Sequence, residues 1–207
     1  MSQKKTAIDV VLLPSPEMTN KVIQINRELL KTNGQKIVLD EQNCLPHISL
    51  CMGVVENADL PQIQVALGSI SRDFSSFQLT IENMRADTIP TGKKESDLRI
   101  KDDISLQKLQ ATIMSKLWPY LTYDVNAQML YNPQEIEEVT FTWIKGYAKK
   151  YEDPSSFYPH ITVGFGETEV FDEEFPMTFN ASTLALCQLG NYCTARKVFG
   201  KFELLAS

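Results

Sequence analysis

The only two histidines of the chain lie in one repeated motif that could carry acid–base chemistry. The tetrapeptide PHIS at 46–49 is matched by PHIT at 159–162, and a glycine follows each histidine six residues later. Proline makes up about 5% of protein sequences, so two histidines that both follow a proline arise by chance roughly once in 400 pairs. The repeat therefore predicts two related halves, each of which supplies one strand to a shared centre.

Alternation along a β-strand predicts the orientation of each copy of the motif. Successive side chains of a strand point to opposite faces. His47 and Ser49 are therefore expected on one face and Ile48 on the other, and His160 and Thr162 are expected to share a face in the same way. Each strand would bury its aliphatic side and present an imidazole beside a hydroxyl.

Paired imidazoles with adjacent hydroxyls suit the cleavage of a phosphodiester. One imidazole accepts a proton from the attacking water or ribose hydroxyl, and the other donates a proton to the leaving oxygen. Histidine titrates near neutral pH without special tuning, as both roles require. Ser49 and Thr162 can donate hydrogen bonds to the non-bridging phosphate oxygens and stabilise charge in the transition state. The motifs therefore predict His47 and His160 as the catalytic pair, with no metal ion and no cofactor.

The two motifs resemble the paired H-x-[ST] signatures of the 2H phosphoesterase superfamily. That superfamily includes bacterial 2′-5′ RNA ligase-like (LigT-like) proteins, cyclic phosphodiesterases and 2′,5′-oligoadenylate phosphodiesterases. The resemblance implies an α+β fold with two pseudo-symmetric lobes whose antiparallel sheets face a central cleft. The order of elements is compatible with that fold over nearly the whole chain, so residues 1–207 are expected to form a single bilobal domain. Ser49 stands where many members carry threonine, and it keeps the hydroxyl.

The motifs and the resemblance together predict a metal-independent phosphodiesterase. Its expected substrates are 2′,3′-cyclic phosphates or 2′-5′-linked bonds in nucleotides or short RNA. The alternative is a nucleotide- or RNA-binding module of the same fold without significant turnover. Retention of both histidines and both hydroxyls favours the enzyme, and the assignment of base and acid between the histidines stays open.

Composition limits the class of partner. The chain has 20 basic and 26 acidic residues and a net charge of −6, whereas a protein that binds duplex nucleic acid usually has a basic surplus. A broad duplex-binding surface is therefore not expected. The apolar run at 7–13 contains Asp9 and fits a buried first strand better than a signal peptide, and no stretch approaches the length of a membrane span. We expect a cytoplasmic monomer that does not bind membranes.

Four further residues are weaker candidates for substrate binding. An aromatic side chain near the cleft could stack on a base, and an arginine could hold a phosphate. These candidates are Tyr158, Phe165, Tyr192 and Arg196. The lysine pair at 149–150 is instead expected at the end of a helix, where the helix dipole explains its presence.

Other interpretations of the histidines are less favoured. Two histidines alone make a poor zinc site, which needs three or four ligands. Cys44 lies three residues before His47 and would point to the opposite strand face, which disfavours a Cys–His nucleophile. The four cysteines contain no C-x-x-C pair, and we expect them to be reduced and buried or near the site.

The remaining pattern predicts a mixture of helices, hairpins and strand–helix–strand units. Strands are expected at 7–13, 45–55, 77–82, 97–102, 158–165, 183–189 and 197–204. Helices are expected at 16–32, at 59–70, at 104–118, and from a start at 132–135 to a stop at 153–154. Asp59 and Asn132 are predicted to open their helices as capping-box residues, Gly34 is predicted to end the first helix, and a turn at 90–92 is predicted to join the central hairpin.

Overall fold

A computed structural model describes residues 4–33, 36–89, 91–167 and 174–206. Within those residues the chain forms eight strands and five α-helices. The strands are β1 (Lys5–Leu13), β2 (Ile48–Glu56), β3 (Phe77–Thr88), β4 (Lys94–Ile100), β5 (His160–Phe165), β6 (Met177–Ala181), β7 (Thr183–Leu189) and β8 (Ala195–Glu203). The helices are α1 (Pro16–Asn33), α2 (Leu60–Ile70), α3 (Ile104–Leu117), α4 (Glu138–Gly146) and α5 (Lys149–Glu152).

The strands form two four-stranded antiparallel sheets, one in each lobe. The first sheet has the order β2-β1-β7-β8, and the second has the order β5-β4-β3-β6. Helix α1 follows β1 of the first sheet but packs on β5 of the second, while α3 follows β4 of the second sheet but packs on β2 of the first. This exchange of helices interlocks the lobes. The predicted α+β fold with two antiparallel sheets is confirmed.

Strand β1 lies at the centre of the first sheet and is buried on both faces. Its residues from Thr6 to Leu12 are all nearly inaccessible to solvent. Aliphatic side chains such as Ile8 and Leu12 join the main core, and each such burial stabilises the fold by about 1.5–3 kcal/mol. Val11 lies in a second, smaller apolar cluster with Cys187 and Ala195. The same central position forces Asp9 into the interior, where a carboxyl is costly without partners.

The two strands that carry the motifs begin later than the sequence predicts. The strand predicted at 45–55 begins at Ile48, and the strand predicted at 158–165 begins at His160. Proline lacks the N–H that a ladder requires, so each P-H motif sits at the point of entry to its strand. Leu45 pairs with Ala195 only through an isolated bridge. Both histidines are therefore placed at strand ends, next to the opening between the sheets.

Two predicted capping boxes are wrong. Asp59 has helical backbone angles (φ −87°, ψ −14°) and makes no side-chain cap hydrogen bond, because a 3-10 turn at Asn57–Asp59 leads directly into α2. Asn132 adopts a left-handed conformation (φ 53°) before a 3-10 turn at Pro133–Glu135, and α4 begins only at Glu138. The cap of α3 follows the usual rule, since the Asp103 carboxylate accepts a hydrogen bond from the Leu106 N–H at 2.8 Å.

Several other boundaries differ from the prediction. Strand β6 was not predicted, β3 runs on from residue 82 to Thr88, and β4 begins at Lys94 instead of residue 97. The hairpin of β3 and β4 is confirmed. Gly34 and Pro90, predicted as a helix stop and a turn residue, lie outside the described residues. No helix in the described parts of the chain is long and apolar enough to cross a membrane.

Candidate active site

His47 immediately precedes β2 and projects into a cavity between the two sheets. Its Nδ1 lies 2.7 Å from the carbonyl oxygen of Leu45. A carbonyl oxygen can only accept, so Nδ1 carries the hydrogen and Nε2 holds the free lone pair in the neutral ring. The side chain is 12% exposed. The motif therefore fixes both the orientation and the tautomer of His47.

His160, the first residue of β5, repeats this arrangement from the second sheet. Its Nδ1 lies 2.9 Å from the carbonyl oxygen of Tyr158, again the residue before the proline. The extended backbone that proline imposes on its preceding residue turns that carbonyl toward the ring. His47 and His160 line the same cavity of about 370 Å³, a volume in the range of small-molecule sites. The predicted meeting of the two motifs in one cleft is thus observed.

Both imidazoles lie where the charged form is disfavoured. Burial lowers the pKa of His47, and the hydrogen bond to the Leu45 carbonyl opposes that shift. Burial also lowers the pKa of His160, to about 4, with smaller contributions from the positive charges of Arg99 and Lys150 and from His47 itself. Both rings are therefore neutral at pH 7 in the empty cleft. A bound anion would favour protonation of either one.

The two hydroxyls of the motifs have different surroundings. The Ser49 hydroxyl donates to the Asp9 carboxylate at 2.6 Å, and the Ser49 carbonyl accepts from the Tyr147 hydroxyl at 3.0 Å. The Thr162 hydroxyl lines the cavity and has no hydrogen-bond partner among the described residues. Thr162 is therefore free to donate to a ligand, whereas Ser49 already has an acceptor behind it.

Asp9 was not identified as a site residue from the sequence. It is fully buried, and its Oδ2 accepts from Ser49 and lies 3.8 Å from Nε2 of His47. The nearby Cys51 backbone N–H also favours the charged form of this carboxyl and so opposes the effect of burial on its pKa. A lone acid in the apolar run AIDVVLL was the signal in the sequence, because a carboxyl in a strand buried on both faces requires a specific partner.

A charged row lies beside His160 on the second sheet. Arg99 is the register partner of His160, and its Nε lies 2.6 Å from Oδ1 of Asp97. Its guanidinium also pairs with Asp87 and stacks 4.0 Å from the centre of the Tyr158 ring. Burial raises the pKa of Asp97 to about 6 despite the nearby arginine. This row fixes a positive charge behind one histidine.

Two further charged groups line the cavity itself. Burial and the charge of Asp97 raise the pKa of Glu95 to about 7. Lys150 donates to the Ser156 carbonyl at 2.8 Å, its Nζ lies 5.3 Å from the centre of the Tyr147 ring, and burial lowers its pKa. The prediction that Lys150 ends a helix is wrong, because α4 ends at Gly146 and Lys150 lies at the start of α5, where it lines the cavity.

The secondary candidates divide into two groups. Tyr158, which is 46% exposed, and Tyr192 line the cavity, and so does Trp143. Phe165 is buried behind the cavity and meets the Tyr192 ring edge-on at 4.7 Å. Arg196 does not line the cavity; its guanidinium lies 5.2 Å from the centre of the Tyr131 ring. Aromatic surface is therefore available to a base, and Arg196 faces elsewhere.

In the part of the chain that the structure describes, the four cysteines are neither nucleophiles nor parts of a metal site. Cys44, Cys51, Cys187 and Cys193 are all free and buried, as predicted. Burial raises the pKa of Cys187 to about 12 and raises that of the other three thiols, so they are not nucleophiles at neutral pH. Among the described residues, no three histidine, cysteine or acidic side chains lie together as a metal site.

Known structures share this architecture at low sequence identity. TT0787 of Thermus thermophilus matches with a TM-score of 0.58 and 13% identity, over 98% of this chain and 100% of that chain. Apo LigT of E. coli matches with a TM-score of 0.52 and 14% identity, over 98% and 99%. A structure described as a phosphoesterase matches with a TM-score of 0.52 and 11% identity, over 98% and 99%. LigT has also been crystallised with phosphate and with 3′-AMP.

These likenesses show the fold of the chain. No protein-family model matches the sequence, and no curated protein matches it. The near-complete coverage of both chains means that the two-sheet architecture is shared as a whole. The chain therefore has the LigT-like fold that the repeated motif implied.

Proposed function

We propose that this protein with a LigT-like fold is a metal-independent phosphodiesterase. Its substrates would be 2′,3′-cyclic phosphates or 2′-5′-linked bonds in nucleotides or short RNA. One observation carries the proposal: two histidines from different sheets line one cavity, each with Nδ1 bound to the carbonyl two residues earlier and Nε2 left for chemistry. Such a pair supplies one proton acceptor and one proton donor to the same phosphorus.

The environments of the two rings favour a division of roles. His160 has the pKa of about 4 and a positive charge beside it, so it is neutral and suited to accept the proton of an attacking water. Oδ2 of Asp9 lies 3.8 Å from Nε2 of His47, where an ionised carboxylate would stabilise the imidazolium. We therefore propose His160 as the base and His47 as the acid that protonates the leaving ribose oxygen. Environments that push the pKa values of two titratable groups apart are typical of acid–base pairs.

Other groups of the cavity would bind the phosphate and the nucleoside. Thr162 has a free hydroxyl to donate to a non-bridging oxygen, and Ser49 lies at the equivalent place beside His47. Among the described residues, Lys150 is the one lysine or arginine that lines the cavity, and it would neutralise phosphate charge. Crystals of LigT with phosphate and with 3′-AMP support a nucleotide-sized ligand for this fold.

The size and charge of the molecule favour a small substrate. A cavity of about 370 Å³ accommodates a mononucleotide or the end of a short RNA. The net charge of −6 disfavours long contact with a phosphate backbone. Both imidazoles belong to the same chain, so a monomer would suffice.

The direct test incubates the protein, with a chelator present, with 2′,3′-cyclic nucleotides and 2′-5′-linked dinucleotides. We expect turnover that falls at least about 100-fold in His47→Gln and in His160→Gln, since general acid–base catalysis contributes about 10²–10⁴-fold. Thr112→Ala, on the exposed side of α3, is the control for handling and folding. Binding of nucleotides without product in the unsubstituted protein would favour the binding module, and turnover that survives both histidine substitutions would refute the proposal.

The dependence of kcat/KM on pH gives a second test. An essential base with a pKa of about 4 is neutral above that pH, so the acid limb should have its midpoint near pH 4. An ordinary histidine base would give a limb near pH 6.5 instead. The assignment of His160 as base is wrong if the acid limb lies near 6.5.

A further inference from the structure

Asp9 and His47 form an isolated acid–imidazole pair behind the cleft. Oδ2 of Asp9 lies 3.8 Å from Nε2 of His47, and the acid is fully buried while the histidine is largely buried. A shift of about 1 Å brings this separation within hydrogen-bond range. Nε2 is the ring nitrogen that the Leu45 carbonyl leaves free. The buried carboxyl of Asp9 is therefore close to the ring nitrogen of His47 that is free to act on a substrate.

No fixed positive charge faces Asp9 among the residues that the structure describes. The titratable groups that face it are the thiols of Cys51 on β2, Cys187 on β7 and Cys193, the Tyr147 phenol after α4, and the His47 imidazole. All of these groups, the imidazole included, are neutral at pH 7 in the empty cleft. Among the described residues no lysine or arginine forms an ion pair with Asp9. Its hydrogen-bond donor is the Ser49 hydroxyl, and the Cys51 N–H lies nearby; both groups are neutral.

We propose that Asp9 and His47 share one proton, which rests on Asp9 in the empty cleft and moves to Nε2 of His47 when a phosphate anion binds. The inference rests on the proposed function and assigns Asp9 as a positioning residue of that site. The state of the empty cleft follows from burial. Burial raises the pKa of Asp9 well above its ordinary value and lowers that of His47, so two neutral groups are favoured over a buried ion pair.

A bound anion reverses this preference. The negative phosphate stabilises the imidazolium beside it, so the O–H bond of Asp9 breaks and an N–H bond forms on His47. The new carboxylate keeps the Ser49 O–H as a donor and lies near the Cys51 N–H. No proton enters or leaves the protein in this step. His47 is thereby charged for its role as acid at a pH where its own pKa would leave it neutral.

Linkage between proton uptake and anion binding makes this idea measurable. The logarithm of an association constant falls, per pH unit, by the number of protons that the complex takes up on binding. The unsubstituted protein draws the proton of His47 from Asp9, whereas Asp9→Asn must draw it from solvent. Asparagine keeps the size of the side chain and its hydrogen bond to Ser49, but it has no proton to transfer.

The experiment titrates both proteins with inorganic sulfate, which stays a dianion across the pH range and so adds no protons of its own. We expect the affinity of Asp9→Asn for sulfate to fall about tenfold more per pH unit than that of the unsubstituted protein between about pH 6.5 and 8. Imidazole nitrogen NMR with only two histidines assigns the uptake to one ring. Asp73→Asn, which makes the same change at an exposed aspartate just after α2, should retain the unsubstituted slope.

Each outcome has a distinct meaning. Equal slopes in the unsubstituted protein and Asp9→Asn, with His47 protonated in both, would overturn the shared proton and leave the proposed function intact. Sulfate that perturbs neither imidazole would overturn the phosphate site and the inference with it. Infrared difference spectra of the unsubstituted protein give a check that needs no variant: sulfate should remove one protonated-carboxyl band at pH 8, and an unchanged band would contradict the transfer.

Discussion

Arg99 lies directly opposite His160 in the antiparallel ladder between β4 and β5. Cross-strand partners on one face are close neighbours, so the guanidinium of Arg99 acts on the imidazole at short range. Asp97 and Asp87 hold that guanidinium, and the Tyr158 ring covers it. Burial is the main cause of the low pKa of His160; the Tyr158 carbonyl opposes it, and the charge of Arg99 lowers the pKa further. The register of β4 and β5 thus places Arg99 beside His160, the residue that we propose as the base.

Arg99→Met should raise the pKa of His160 from about 4 toward 6.5. The sign follows because a nearby positive charge disfavours the imidazolium, and its removal therefore favours the protonated ring. Burial remains, so the rise should be partial. Histidine NMR titration measures it, with His47 as the internal reference. Lys101→Met removes an exposed positive charge just past β4 and should leave the pKa of His160 unchanged; an unchanged pKa in Arg99→Met would contradict the electrostatic role.

Lys150→Ala should weaken binding of an anionic substrate about tenfold, equivalent to about 1.4 kcal/mol. The ammonium lines the cavity and is partly shielded from solvent, so its attraction for a phosphate is less screened than that of a surface lysine. The change should appear in KM more than in kcat, and it should shrink at high salt. Lys149→Ala removes the neighbouring, exposed lysine and is the matched control. Equal effects of the two substitutions would show that only net charge matters.

The repeated motif predicted the centre of the site because it encodes local geometry. A proline, a histidine and a hydroxyl residue at strand entry fix the ring orientation through the chain itself. Hydrophobic patterning likewise located most strands, since β1 and β7 bury continuous aliphatic runs. These features depend on neighbours in sequence, which the sequence displays directly.

The residues missed depend on contacts between distant segments. Asp9 meets Ser49 across a strand pair, and Arg99 meets His160 across a ladder; neither register is visible in the sequence. Lys150 enters the cavity because the chain turns after Gly146, where a continuous helix had been predicted. Asn132 failed as a cap because the backbone took a left-handed conformation there. Tertiary packing decided each of these positions.

Tyr158→Leu should weaken the binding of nucleotides and leave that of a base-free cyclic phosphate nearly unchanged. The ring is partly exposed at the cavity and lies on Arg99, so it offers one face to a nucleobase. Stacking of a base on an aromatic ring contributes about 1–3 kcal/mol, so KM for cyclic nucleotides should rise by about tenfold or more. Tyr131→Leu, an exposed tyrosine beside Arg196, is the control. Parallel losses for both substrates would mean that Tyr158 only supports Arg99.

Glu95→Gln should stabilise the protein at pH 8 and change it little at pH 4. Burial, followed by the charge of Asp97, raises the pKa of Glu95 from 4.5 to about 7. The folded state therefore binds more protons than the unfolded state between those values, and the free energy of unfolding falls as the pH rises through that window. Glutamine cannot ionise, so Glu95→Gln should not lose this stability, which amounts to at most about 3 kcal/mol of the free energy of unfolding. Urea unfolding at both pH values measures it, with the exposed Glu82→Gln as control. A stability difference between Glu95→Gln and the unsubstituted protein that is the same at both pH values would show that Glu95 does not titrate in this range.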